Sequence, residues 1–201
     1  IITSNTSALP LTDLTRNAKH PERFFITHFF APPQLIPLVE IIKLENYRED
    51  LLQEIVSFLK VCGKSPIVLK KEVPGFIANR IQMAILRECF WLYENDIATA
   101  EDIDTVMKDS LGFRYVFLGP LEGQDIAGLN TPYYVSQTLF PVISDTKEPP
   151  KFLKKMIDEN KLGIRTNEGF YSYGPGEVDR KLKERDEHFL DVYLLKQKTK
   201  R

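Results

Sequence analysis

Residues 24–43 read FFITHFFAPPQLIPLVEIIK, and this stretch decides how the first part of the chain folds. Residues 23–30 are aromatic and β-branched, a strand composition, and residues 38–43 are a second candidate strand. Between them Ala31-Pro32-Pro33-Gln34 breaks the pattern, because proline donates no ladder hydrogen bond. An antiparallel hairpin over 24–30 and 37–43, with its midpoint near Gln34, places positions 28 and 40 opposite each other. Directly opposed side chains have Cβ atoms about 4.5–5.5 Å apart, within reach of an imidazole–carboxylate hydrogen bond. Glu40 interrupts an apolar strand, where an unpaired carboxylate is costly to bury. A carboxylate on His28 would fix the imidazole tautomer and raise its basicity, as a general base near neutral pH requires. A purely structural His–Glu pair meets the same burial constraint, and periodicity does not separate the two readings.

Outward from the hairpin, Ile1-Ile2 resemble the end of a strand, as if the chain were entered partway along it, and Ser4-Asn5-Thr6-Ser7 is a polar turn cluster. Residues 11–18 predict a short helix, with Thr12 and Asp13 supplying cap chemistry. Over 46–62, Leu51, Leu52, Ile55, Phe58, Leu59 and Cys62 follow the spacing of one buried helical face. Gly63 stops that helix and residues 66–70 form another short strand. After Val73-Pro74-Gly75 the pattern becomes helical throughout. Residues 76–96 are apolar at helical spacing, and 99–109 begin with Thr99 and Asp102, an acidic capping box. Residues 120–144 are helical but must kink or divide at Pro132 and Pro141. A further helix spans 150–161, 163–173 are irregular, and a charged helix runs from Glu177 onward. The fold class is therefore α/β over 1–72, then all-α over 73–201.

Composition narrows the function. The 201 residues hold 27 basic and 28 acidic side chains, a formal net charge of -1, without the basic excess of a nucleic-acid binder. With 43% hydrophobic residues a packed core is expected. No apolar run approaches the ~18 residues that span a bilayer, and the first residues carry no signal-peptide pattern. Cys62 and Cys89 both sit in apolar helical patterns and read as buried thiols in a reducing, cytoplasmic compartment. His20 and His188 read as solvated surface residues. Metal spacing, the G-x-S-x-G elbow and the G-x-G-x-x-G phosphate loop are all missing from the sequence. Ser4 to Ser7 follow a strand end, where α/β sheets build ligand crevices, and Asn79 lies early in a long helix whose N-terminus favours negative charge. Each is equally an ordinary turn or helix residue. Lys196, Lys198, Lys200 and Arg201 form a small basic tail, most simply a favourable last helical turn.

Taken together, these segments resemble the L-3-hydroxyacyl-CoA dehydrogenase family. The resemblance rests on Ser4-Asn5-Thr6-Ser7, on Pro21-Glu22-Arg23 ahead of His28-Phe29-Phe30, and on Leu38-Val39-Glu40. It continues through Pro74-Gly75-Phe76-Ile77-Ala78-Asn79-Arg80, Ala100-Glu101-Asp102-Ile103-Asp104, Gly119-Pro120 and Gly169-Phe170-Tyr171. It implies a Rossmann-like NAD-binding domain followed by a helical domain that forms a homodimer and closes the substrate cleft. It also implies reversible, NAD-dependent oxidation of an L-3-hydroxyacyl-CoA to the 3-ketoacyl-CoA. His28 would be the general base and Glu40 its orienting carboxylate. Ser7 and Asn79 would bond the reacting oxygen or position the imidazole, and Asn5 would face the cofactor.

Three departures bear on substrate. Ala31 stands where the family usually has Asn after H-F-F, and Pro37 stands where lysine often precedes L-V-E. Leu111-Gly112-Phe113-Arg114-Tyr115 replaces a shorter proline-containing run. Pro37 and Arg114-Tyr115 are more similar to relatives that oxidise small free hydroxy acids, the carnitine and gulonate dehydrogenases and λ-crystallin. Arg114 would clamp a substrate carboxylate bidentately; a surface or dimer-interface arginine is the alternative. With no glycine fingerprint, the expectation is the C-terminal part of the cofactor domain, lacking its N-terminal half. An inactive dimerisation fragment is the competing reading.

Overall fold

In the computed structural model, which describes residues 1–7 and 9–199, the 24–43 stretch forms the expected hairpin. Strands β2 (Phe24–Phe29) and β3 (Leu38–Lys43) pair antiparallel, with His28 opposite Glu40 and Ile26 opposite Ile42. Strand β1 (Ile2–Ser4) adds parallel to β2 and β4 (Ser65–Val68) parallel to β3, giving the order β1-β2-β3-β4.

Both faces of the two central strands are buried, which is why they read as nearly continuous apolar runs. Period-two alternation sends Phe25, Val39 and Ile41 to one face, where they pack on Leu52, Ile55 and Leu59 of helix α2 (Glu49–Val61). Ile26 and Ile42 point to the other face, against Leu11, Leu69 and Phe76. Burying one such side chain contributes roughly 1.5–3 kcal/mol. His28 and Glu40 have the parity of Ile26 and Ile42, so they belong to this second face, away from α2.

Several local expectations are corrected. Helix α1 covers only Leu11–Leu14 and has no side-chain cap, because Pro10 occupies the cap position. Its first amide instead donates to Glu72 Oε1 at 2.5 Å, from the segment that follows β4. Phe58 is exposed and so is Cys62, at the end of α2; the buried-thiol reading fails there. Cys89 is partly buried, and that burial, with the Asp104 carboxylate adding to it, pushes its thiol up.

The chain divides into two compact units, Ile1–Gln82 and Met83–Arg201, and α3 (Ala78–Glu94) begins in the first. In the second, α4 (Ala100–Val106) carries the expected capping box, with Thr99 and Asp102 exchanging side-chain-to-backbone bonds. A π-helical segment, Met107–Gly112, continues it into α5 (Phe113–Tyr115). The expected 120–144 helix divides into α6 (Pro120–Ala127) and α7 (Asn130–Leu139). The break falls at Gly128, whose φ is +90°; Pro132 is instead tolerated in the first turn of α7. Helices α8 (Lys151–Asp158) and α9 (Glu177–Thr199) complete the unit, and Lys200 and Arg201 of the basic tail lie outside the described residues. Phe90, Tyr93, Phe152 and Phe170 form its aromatic cluster, with ring centroids 5.2–6.2 Å apart.

Candidate active site

Strand register makes the central contact of the first unit. His28 Nδ1 lies 2.9 Å from Glu40 Oε2, with His28 buried and Glu40 fully so. The second carboxylate oxygen is also occupied: Oε1 accepts the backbone N–H groups of Ile77 and Ala78, each at 2.9 Å. These amides open helix α3, whose N-terminal end favours an anion. Glu40 therefore meets the requirement set by its buried position with three donors or partners from two distant segments.

The imidazole is boxed by aromatic rings. Phe30 approaches edge-on at 4.5 Å between centroids and Phe76 at 5.4 Å. Among the described residues no buried side-chain nitrogen or oxygen lacks a hydrogen-bond partner. His28 Nε2 has no hydrogen-bond partner among the described residues, so it is not fully buried, while Nδ1 faces Glu40. The network assigns the proton to Nδ1 and leaves the Nε2 lone pair outward, the arrangement of an imidazole able to accept a proton from outside.

Asn5 follows β1 directly, and its Oδ1 accepts the Phe29 N–H at 2.9 Å. That bond ties the carboxyl end of β1 to that of β2, one residue past His28. Ser7 is exposed in the same turn, and Asn79 is half-buried as the second residue of α3. No hydrogen bond joins either of them to the His28–Glu40 pair. Arg114 lies in the second unit, exposed on α5. Sequence reasoning missed the Ile77 and Ala78 amides and the Phe30 and Phe76 rings. The Pro74-Gly75-Phe76 turn ahead of a long helix was the available signal for three of these four. Among the described residues no cluster of three His, Cys, Asp or Glu is placed to hold a metal ion. No described helix is long and apolar enough to cross a membrane.

The buried imidazole–carboxylate pair lies toward the strand ends of a mixed sheet, the edge where α/β sheets build their ligand crevices. Residues 1–73 match the NAD binding domain of 3-hydroxyacyl-CoA dehydrogenase and residues 75–173 match its C-terminal domain. The chain belongs to the 3-hydroxyacyl-CoA dehydrogenase family. The expectation that its cofactor-binding half is lacking is not borne out, since the NAD-binding domain is matched across residues 1–73.

Among similar proteins, the mitochondrial hydroxyacyl-coenzyme A dehydrogenase of Sus scrofa is 38% identical over 86% of this chain and 54% of its own length. The 5-formyl-3-hydroxy-2-methylpyridine 4-carboxylate 5-dehydrogenase of Mesorhizobium japonicum is 33% identical over 87% of this chain and 57% of its own. A crystal structure of a dehydrogenase acting on that pyridine carboxylic acid, described as an NAD+-dependent dismutase, superposes with a TM-score of 0.91 at 32% identity. It covers 96% of this chain and 62% of that one. The chain thus spans a little over half the length of these curated relatives.

Proposed function

We infer that this chain belongs to an NAD-dependent dehydrogenase that oxidises an L-3-hydroxyacyl-CoA to its 3-ketoacyl-CoA, reversibly. The observation that carries the reading is the buried His28–Glu40 pair with Nε2 turned outward. His28 Nε2 takes the hydroxyl proton while Glu40, bonded to Nδ1, orients the ring and stabilises the imidazolium that forms. The C–H bond of the same carbon breaks with its electron pair, and the C–O bond becomes C=O.

The residues present fit the reacting end of NAD, which when bound supplies the hydride acceptor. Asn5 stands at the carboxyl end of a parallel strand with its carbonyl oxygen already engaged, so its amide hydrogens are what it offers a ligand acceptor. Ser7 and Asn79 are the polar side chains assigned to the reacting oxygen. The division into a cofactor domain over 1–72 and a substrate and dimerisation domain over 73–201 belongs to the same proposal. Exposed apolar side chains such as Phe113, Leu121, Ile126, Phe140 and Val142 suit a homodimer, and the two unpaired cysteines suit a cytoplasmic setting.

Initial rates with NAD and 3-hydroxybutyryl-CoA test the reading: turnover is expected, and its absence with saturating NAD counts against it. A second reading is favoured by Arg114 and by the similarity to a dehydrogenase of a pyridine carboxylate. There Arg114 pairs bidentately with a free carboxylate on a small hydroxylated substrate. Comparing thioesters with small hydroxy acids decides between them. A strong preference for thioesters that Arg114→Ala leaves unchanged removes the second reading.

A further inference from the structure

The strongest backbone anomaly of the first unit lies against the candidate base. Gly75 and Phe76 are consecutive left-handed residues, with φ of +76° and +52°. Glycine takes this conformation freely; a phenylalanine rarely does, and such residues persist only where their surroundings hold them. Phe76 is 2% exposed, and its amide donates to Val73 O at 3.0 Å, closing the turn. Its ring then meets the His28 imidazole edge-on. The next two amides, of Ile77 and Ala78, both end on Glu40 Oε1.

We propose that Phe76 is a positioning residue, whose left-handed turn sets the His28–Glu40 pair from both ends at once. The inference rests on the dyad reading above. One consequence of the turn is that its ring closes one side of the imidazole, excluding water from the Nδ1–H···Oε2 bond. The other is that the chain leaves the turn in the direction that aims two helix-opening amides at the far carboxylate oxygen. Glycine at position 76 would relieve the backbone and keep those amides, but would open the ring's side to water. The retention of a bulky aromatic in an unfavourable conformation is thereby accounted for by what its side chain touches. Gly75 is part of the device: a Cβ there would add to an unfavourable φ and lie 3.4 Å from Arg80 Cγ.

The test is solvent exchange of the His28 imidazole proton in the 15N-histidine-labelled chain, assigned by its loss in His28→Gln. Wild type is expected to show a protected proton. Phe76→Gly should keep the backbone amide pattern of the sheet while the imidazole proton exchanges about tenfold faster, the scale of one lost aromatic edge contact. Phe76→Leu, which keeps apolar volume without the ring edge, covers the case in which the glycine variant does not fold; about threefold faster exchange is expected. In turnover, Phe76→Leu should lower kcat roughly fivefold with KM within about twofold. Unchanged exchange in a folded Phe76 variant overturns the proposal and leaves the dyad reading intact. No protected proton in wild type overturns the dyad reading and this proposal together.

Discussion

His28 and Glu40 face each other across the antiparallel ladder of β2 and β3, and their 2.9 Å contact is a direct product of strand register. A slip of one residue would turn each to the opposite face, so the pair is as firmly specified as the apolar alternation around it. For the proposed base, His28→Ala is expected to lower turnover on the order of 10²–10⁴-fold while substrate still binds. Steady-state kinetics with a hydroxyacyl-CoA and NAD check this; turnover near wild type removes His28 from the role.

Glu40 has a structural role that is separable from chemistry. Glu40→Ala leaves the imidazole Nδ1 and the Ile77 and Ala78 amides without their acceptor in a buried site. A loss of about 3–5 kcal/mol is expected, the scale of breaking a buried pair from one side. Glu40→Gln retains an acceptor oxygen and should lose roughly 1–2 kcal/mol less. Denaturant unfolding of the three proteins gives the ranking, and equal loss in both variants would contradict it.

The π-helical segment Met107–Gly112 makes a different demand. Gly112 has an ordinary helical φ, but a Cβ there would lie 2.8 Å from the backbone oxygen of Met107. Gly112→Ala should therefore destabilise the protein by about 1–3 kcal/mol, the usual scale of forced overpacking. Thermal unfolding measures it, and a neutral or stabilising alanine would mean that the π turn relaxes to α geometry without loss.

Tyr171 donates to Asp104 Oδ2 at 2.9 Å. Burial first, and this bond second, push its hydroxyl up to about 12 from 10.0. The folded state thus holds the phenolic proton more tightly than the unfolded one. The contribution is complete below pH 10 and is lost as pH rises from 10 toward about 12. The bond to Glu49 pushes Tyr47 up as well, so tyrosinate absorbance should show a late fraction from which Tyr171→Phe removes the component near 12. Its persistence in the variant would assign it to another tyrosine.

Much of the site was legible in sequence because its central pair is set by local, period-two geometry. Two strand-like runs about a proline turn were enough to place 28 against 40. The capping box at Thr99 and Asp102 was equally local. What failed were features whose partners lie far along the chain. Glu72 caps α1 from 61 residues away, and the amides on Glu40 come from 37 and 38 residues away. Cys62 fitted the apolar spacing of α2 but falls beyond its last buried turn, so periodicity overstated the buried face.

The sequence by itself determined the hairpin, its register, the α/β-then-helical order and the need for a partner at Glu40. Those follow from side-chain alternation and turn chemistry, which act over a few residues. Only the tertiary structure decided that Glu40 also receives the first amides of α3, and that Phe76 adopts a left-handed turn against His28. Such contacts depend on how separate segments pack, and a buried carboxylate takes whatever donors that packing brings to its second oxygen.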